Sequence, residues 1–434
     1  MAWYRGNLHM HSYWSDGHDF PEMIADRFKR EGYDFIAFTE HDQHQVGDKW
    51  VSRDPAKGSG RSMAEGGLLA KYVARFGGDW VETRNRPQSE VRVKTLSEYR
   101  HLVEEPGRFL LITGEEVTTS WGHTPPWGHT PPWVQTPSLG QEPDWSRTHY
   151  INVFNTRAAV APQHDPDSSQ RAMQSTLDAA RSIGGASVAE ILVCLNHPNC
   201  SWNATAEDIA AVADLRHMEI YTALNMCATY GDELHQPVER LWDVALTLRL
   251  TGGGAPIFGL ATDDCHAYAH HFEFGDTALP GRAWICVRSD ELSVAHILGA
   301  VNRGDFYSSS GVILEDVEMH DDGIRLQISP QAGVAYTTRF ITPANADLSS
   351  TAVLDTSGNM VATTRRYSDQ VGQVLQERTG LAPSYSFHGD ELYVRAVVTS
   401  SVAHPNPTAP DDFEKAWTQP AVVGAAPTEM PVRS

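Results

Sequence analysis

The sequence predicts an α/β fold over residues 1–312, followed by a small β-rich, sandwich-like region over 313–434. Three observations carry this expectation. Apolar runs of strand length recur at Phe35-Ile36-Ala37-Phe38, Phe109-Leu110-Leu111-Ile112, Ile191-Leu192-Val193-Cys194-Leu195 and Pro256-Ile257-Phe258-Gly259-Leu260, and such runs read as buried parallel strands. Each run ends in a short polar island, which is where parallel β/α architectures place their chemistry. From about Val312 the texture changes to short alternating segments such as Ile324-Arg325-Leu326-Gln327-Ile328 and Leu392-Tyr393-Val394-Arg395, the signature of a small sandwich.

In chain order, the first island is Asn7-Leu8-His9-Met10-His11. Alternate strand residues share a face, so His9 and His11 can meet one ion while Leu8 and Met10 pack behind them. Ser15-Asp16-Gly17 follows as a turn, and Asp19, Pro21 and Glu22 open a helix whose Met23, Ile24 and Phe28 form its inward stripe, closed by Gly32. Thr39-Glu40-His41-Asp42 caps the next strand. A polar insertion, Gly47 to Pro87, precedes a helix near Thr95 to Glu104, and Gly114-Glu115-Glu116 ends the strand after it. Trp121 to Pro126 and Trp127 to Pro132 repeat W-G-H-T-P-P, with Trp133 beginning a third copy that fails. Pro-Pro favours an extended polyproline conformation, so this loop is either a lid over the site or a duplication of no consequence. Thr148-His149-Tyr150-Ile151-Asn152, Asn196-His197-Pro198 and Asp263-Asp264-Cys265-His266 complete the islands. His404-Pro405-Asn406-Pro407 in the β-rich region reads as a loop, and no metal-like cluster is expected there. With 20 histidines in the chain, any single island is weak; the ordered set points to a multinuclear metal site.

With these islands on one rim, the sequence resembles the polymerase and histidinol phosphatase superfamily over about the first 310 residues. The resemblance implies a distorted seven-stranded β/α barrel around two or three divalent transition-metal ions. Carried over by position, it puts one ion between His9, His11, Glu115 and Asp264, a second on Glu115, His149 and His197, and a third on Asp16, His41 and His266. Glu115 would bridge, and Glu115, Asp264 and His266 would be the catalytic set. Glu40 stands where the family more often has Asp, and Cys265 where a small residue is usual, which adds an oxidisable thiol. F-G-D-T-A-L-P-G-R-A-W, G-D-F-Y-S-S-S-G-V, Leu392 to Arg395 and Ala416 to Pro420 further resemble the carbaryl-hydrolase-like branch.

The implied function is metal-dependent hydrolysis of a small-molecule substrate, with a phosphoester favoured and an aryl carbamate or carboxyl ester as the alternative. Mixed His and carboxylate ligation suits Mn, Fe or Zn alike. His270, His271 and Asp42 are candidate acids for the leaving group, and Arg282, Arg303 and Trp121 are candidates for substrate contact. A structural scaffold would instead close every ion with protein ligands.

Composition sets limits on this reading. The 434 residues, 41% of them hydrophobic, suffice for a sizeable core. A formal charge of -21 argues against a nucleic acid or an anionic membrane as partner. Five cysteines with no C-x-x-C pair, and no leader or apolar span, lead us to expect a reduced, cytoplasmic protein. A homo-oligomer is left open.

Overall fold

The computed structural model describes residues 1–53, 63, 67–85, 89–122, 148–184, 190–222, 224, 227–268, 279–343 and 347–424. Its frame is one large mixed sheet. The strands are β1 (Ala2–Asn7), β2 (Phe35–His41), β3 (Leu110–Trp121), β4 (Thr148–Phe154), β5 (Leu192–Leu195), β6 (His217–Thr222), β7 (Phe258–Thr262), β8 (Trp284–Ser289) and β9 (Phe306–Ser309). Beyond them come β10 (Tyr336–Thr342), β11 (Gln373–Thr379), β12 (Tyr393–Ala403) and β13 (Phe413–Thr418). The hydrogen-bonded order is β7-β6-β5-β4-β3-β2-β1-β8-β9-β13-β12-β10-β11.

Just past β1 and β7 the chain forms a parallel bridge between Met10 and Cys265, with His11 N donating to Cys265 O at 2.9 Å. The bridge links the chain just past the carboxyl ends of β1 and β7. The strands from β1 to β7 are not all parallel, because β4 runs antiparallel to both β3 and β5. The free edge of β7 is met by side chains. Gly259 N donates to Gln419 Oε1 at 2.8 Å, Gln419 Nε2 donates to Gly259 O, and Ala261 N donates to Ser308 Oγ.

Alternation on β3 and β4 decides which residues see the inside. Val117, Ile151 and Val153 join Met173, Leu177 and Ala180 of the helix Ser169–Ile183 in one core cluster. Their odd-numbered neighbours Glu115, Thr119 and His149 therefore share the helix-facing side, and the even-numbered Glu116, Thr118, Tyr150 and Asn152 face the opposite way. On β2, Ile36 and Phe38 pack with Ile24 and Phe28 of the helix Pro21–Arg30, leaving Thr39 and His41 to the inner face. The helix near residue 95 runs Leu96–Val103, and Thr95 and Glu98 close a capping box at its start.

The C-terminal strands extend the same sheet, since β9 pairs with β13. Leu314–His320 and Gly323–Ile328 pair in a second, three-stranded sheet with Ser384–Ser386. Ile324, Leu326 and Ile328 from it share a core with Phe340, Val394 and Val398 of the large sheet. Among the described residues, no helix is long and apolar enough to cross a membrane.

Candidate metal centre

At the carboxyl ends of β2, β3, β5 and β7, one buried carboxylate touches four imidazoles. Glu116 Oε2 lies 3.1 Å from His41 Nδ1 and 3.3 Å from His11 Nε2, and its Oε1 lies 3.2 Å from His197 Nε2 and 3.4 Å from His9 Nε2. Asp264 Oδ1 stands 3.1 Å from His9 Nε2 and 3.3 Å from His11 Nε2. Asp16 collects the other side: its Oδ1 lies 3.5 Å from His11 Nδ1 and 3.4 Å from His266 Nε2, and its Oδ2 lies 3.4 Å from His41 Nε2. Three groupings have donor atoms close enough to share an ion: His11, Asp16, His41 and His266; His9, Glu116 and His197; His9, His11 and Asp264.

The structure therefore brings together His9, His11, Asp16, His41, His197, Asp264 and His266. It corrects two further assignments. The central carboxylate is Glu116, not Glu115. Strand register explains the shift, because β2 and β3 pair His41 with Glu116 and Glu40 with Glu115, so only Glu116 shares the inner face with His41. Glu115 instead accepts from Val160 N at 2.7 Å. His149 is also outside the centre. It stacks on Trp121 at 4.3 Å and bonds Ser169 Oγ through Nε2 at 2.8 Å; its neighbour Tyr150 lines the cavity.

Glu219, which carried no expectation, supports the centre from behind. Its Oε1 lies 2.6 Å from His9 Nδ1 and accepts from Thr262 Oγ1, while its Oε2 accepts from His197 N and Thr222 Oγ1. A carboxylate on Nδ1 puts the imidazole proton there and turns the Nε2 lone pair to the centre. An acid in the middle of the strand His-Met-Glu-Ile-Tyr-Thr was the available signal, since an acidic side chain is rarely buried without partners. Asn196 Nδ2 donates to Glu116 Oε1 at 2.7 Å, fixing that carboxylate too.

Backbone strain marks the same places. His197 has φ 22° and Asp264 φ 48°, conformations uncommon for non-glycine residues that concentrate at functional sites. Gly17 beside Asp16 has no room for a side chain, as a Cβ would stand 2.3 Å from His11 O.

The electrostatics are those of a dense acid-imidazole cluster. Burial alone would lower the His9 pKa, yet Asp264, Glu219 and Glu116 outweigh it and raise it to about 10. The same balance, through Asp264, Glu116 and Asp16, raises His11 to about 10. Burial works to raise Glu116, and the surrounding histidines hold it well below the carboxylate range. The negative potential is thus strong enough to draw protons onto buried imidazoles, and a dication is the alternative occupant. Asp264 Oδ1 is buried with no aligned hydrogen-bond donor, an orphan that a metal ion satisfies. The donor set fits divalent metal ions.

The centre opens into a cavity of about 230 Å³ lined by Tyr150, Asn203 and Leu224 among others. Of the proposed substrate contacts, none lines it. Arg282 is buried, with its backbone N donating to Asp263 Oδ1 and its O bonded by His404 Nε2. Arg303 pairs with Asp305 at 3.0 Å on an exposed helix end, and Trp121 serves His149. Asp42 accepts from Thr118 N and Oγ1, and burial raises its pKa to about 7, so it stays a candidate acid. His270, His271, His123, His129, Trp127 and Trp133 lie outside the described residues. In the C-terminal region His388, Asp390 and Glu391 do come together, contrary to expectation, but Glu391 is occupied by Tyr385 OH and the amides of His388 and Gly389.

No protein-family model matches the chain, and no curated protein does. Among solved structures, the chain is similar to a two-domain protein from Bacteroides vulgatus containing a predicted PHP-like metal-dependent phosphoesterase, at 14% identity and a TM-score of 0.37, over 96% of this chain and 95% of that one. It is also similar to a Bifidobacterium adolescentis protein described as a candidate metal-dependent phosphoesterase, at 12% identity and a TM-score of 0.27, over 60% of this chain and 87% of the other. Likenesses this loose carry no argument, and the functional reading rests on the chain's own side chains.

Proposed function

We propose that the chain is a multinuclear metal-dependent hydrolase of the polymerase and histidinol phosphatase type, acting on small phosphoesters. The observation that carries this reading is Glu116, a single buried carboxylate within 3.1–3.4 Å of four imidazoles. Such a carboxylate would be shared between ions, and sites that keep an open position are catalytic rather than structural. His9, His11, Asp16, His41, Glu116, His197, Asp264 and His266 would hold two or three ions of the Mn, Fe or Zn class. Bound there, the ions would supply an activated water nucleophile and neutralise charge developing on the substrate.

The chain's own residues do the rest. Glu219 fixes the His9 tautomer and anchors the backbone of His197, so both imidazoles are held ready before any ligand arrives. Tyr150 keeps its proton, because burial and then Glu116 raise its pKa well above the ordinary phenol value, and its phenol is a donor for a substrate oxygen at the cavity wall. The described lining contains no Arg or Lys, so an anionic group would be met by the ions rather than by a guanidinium. A volume of about 230 Å³ falls short of the ~300 Å³ at which pockets for drug-sized ligands begin, which favours a compact phosphoryl group with its leaving group projecting outward.

The test is turnover of chelator-stripped chain reloaded with Mn or Zn, measured on phosphomonoesters, phosphodiesters, an aryl carbamate and a carboxyl ester. Metal-dependent phosphate release with phosphate as competitive inhibitor is the expected result. Carbamate or ester cleavage without phosphatase activity would overturn the substrate class, and no turnover on any of them would overturn the hydrolase reading.

A further inference from the structure

One side of the cavity has a chemistry that the oxygen-rich centre does not use. Cys200 lies in the tight turn Cys200–Trp202 after β5, and Cys227 lies in the loop after β6. The two sulfurs and a ring nitrogen of His197 all lie within 4.8 Å of one another, and all three residues line the cavity. Cys194, Cys265 and Cys286, by contrast, are buried on strands or at a strand end as small apolar side chains.

His197 supplies the second observation. Its Nε2 faces Glu116 at 3.2 Å. Its Nδ1 is buried with no aligned hydrogen-bond partner, and the ring interacts with the Cys200 sulfur. The turn that carries Cys200 is itself strained, with Ser201 and Trp202 both at φ 54°, so the backbone holds the thiol in this position at a cost. Two sulfurs and one imidazole form the Cys2His donor set of a zinc site with one open position. Thiolates select softer ions than carboxylates do.

We propose that His197 Nδ1, Cys200 and Cys227 form a distinct site for one thiophilic divalent cation of the zinc and cadmium class, open to the same cavity. Binding takes both thiols to thiolates and releases two protons to solvent for each ion, with no change of oxidation state. His197 then coordinates as the neutral ring with its remaining proton on Nε2, directed at Glu116. A filled thiolate site therefore withdraws His197 from the oxygen-rich centre, and the two sites compete for one imidazole. The inference rests on these three side chains and does not depend on which ester the protein cleaves.

The test uses the full chain, stripped of metal and kept reduced, titrated with cadmium ion. The expected result is a thiolate-to-cadmium charge-transfer band saturating at one ion per chain, with two protons released. Cys200→Ser and Cys227→Ser should each weaken binding by more than the ~10–100-fold typical of losing an outer-shell partner, and the double variant should lose the band. Cys286→Ser should keep it. X-ray absorption on the one-to-one cadmium complex of the native chain needs no variant and should find two sulfur neighbours. No band, no or one sulfur neighbour, or a band that survives in a folded double variant would each overturn the proposal. Absent ester turnover with the band intact would instead overturn only the hydrolase reading.

Discussion

Two buried charge clusters among the described residues are built on opposite principles. Behind the sheet, Arg395 donates from Nε and Nη2 to the two oxygens of Asp243 at 2.8 and 2.7 Å, and Tyr393 OH donates to the same carboxylate at 2.8 Å. Donors and acceptors there are matched. At the metal centre, Glu116 and Asp264 face several imidazoles at once at 3.1–3.4 Å, and Asp264 Oδ1 has no aligned donor. The first cluster is complete as it stands; the second has more coordinating atoms than its own hydrogen bonds can use. Buried charge by itself does not mark a functional site; the added signal here is unused lone pairs that converge with several imidazoles on one point.

The sharpest way to break this contrast is at neighbouring residues of β3. Glu116→Ala should remove at least two ions, read by elemental analysis, and lower turnover by about 10³-fold or more, the scale of a lost electrostatic element. Glu115→Gln should leave metal content native and cost about 1 kcal/mol of stability through its bond to Val160. Similar metal loss in both would mean the strand phase is wrong. Next in size, Asp243→Ala should cost roughly 3–5 kcal/mol in denaturant unfolding, because it strands a buried guanidinium, with metal content of the folded fraction unchanged.

A smaller effect is expected from Glu219→Gln, which keeps the shape but weakens the hold on His9: metal affinity should fall about 10–100-fold, measured by chelator competition. Unchanged affinity would reduce Glu219 to a structural role. The smallest effect concerns acid. Burial pushes the His149 pKa down from 6.5 to about 3, so below pH 6.5 the unfolded chain takes up a proton that the native state refuses. Its contribution is fully present above pH 6.5 and is lost as pH falls towards 3. His149→Gln should flatten that limb of the stability profile without removing metal; His217, displaced the same way, preserves part of the slope. Loss of an ion in His149→Gln would restore His149 to the centre.

The order and position of four of the polar islands were legible because each follows an apolar run, and the donor atoms of Asp16, His41 and His266 lie close to one another. What failed was phase. In Gly-Glu-Glu either acid can face inward, and only the pairing of His41 with Glu116 decides, a contact that no local pattern carries. His149 failed for the same reason, one position out of step with Tyr150. Glu219 was missed because its partners, His9 and Thr262, are far away in sequence. The β-rich tail was visible in its alternation, as the buried Ile324, Leu326 and Ile328 against the exposed Arg325 and Gln327 show. Its continuity with the main sheet was not, because strand pairing between β9 and β13 leaves no trace in composition.

The side chains along β7 bear on how the molecule is assembled in time. Gly259 finds its partner in Gln419, 160 residues later, and Ala261 finds its own in Ser308. A chain emerging from its N-terminus has all eight candidate ligands available before either partner exists. Closure over contacts this distant is slow, since the entropy of the intervening loop is lost before the contacts form. Until Gln419 arrives, the strand leading to Asp264 carries an open backbone edge, the kind of surface through which nascent chains misassociate. Pairing of that edge waits on residues that follow every candidate ligand in the chain.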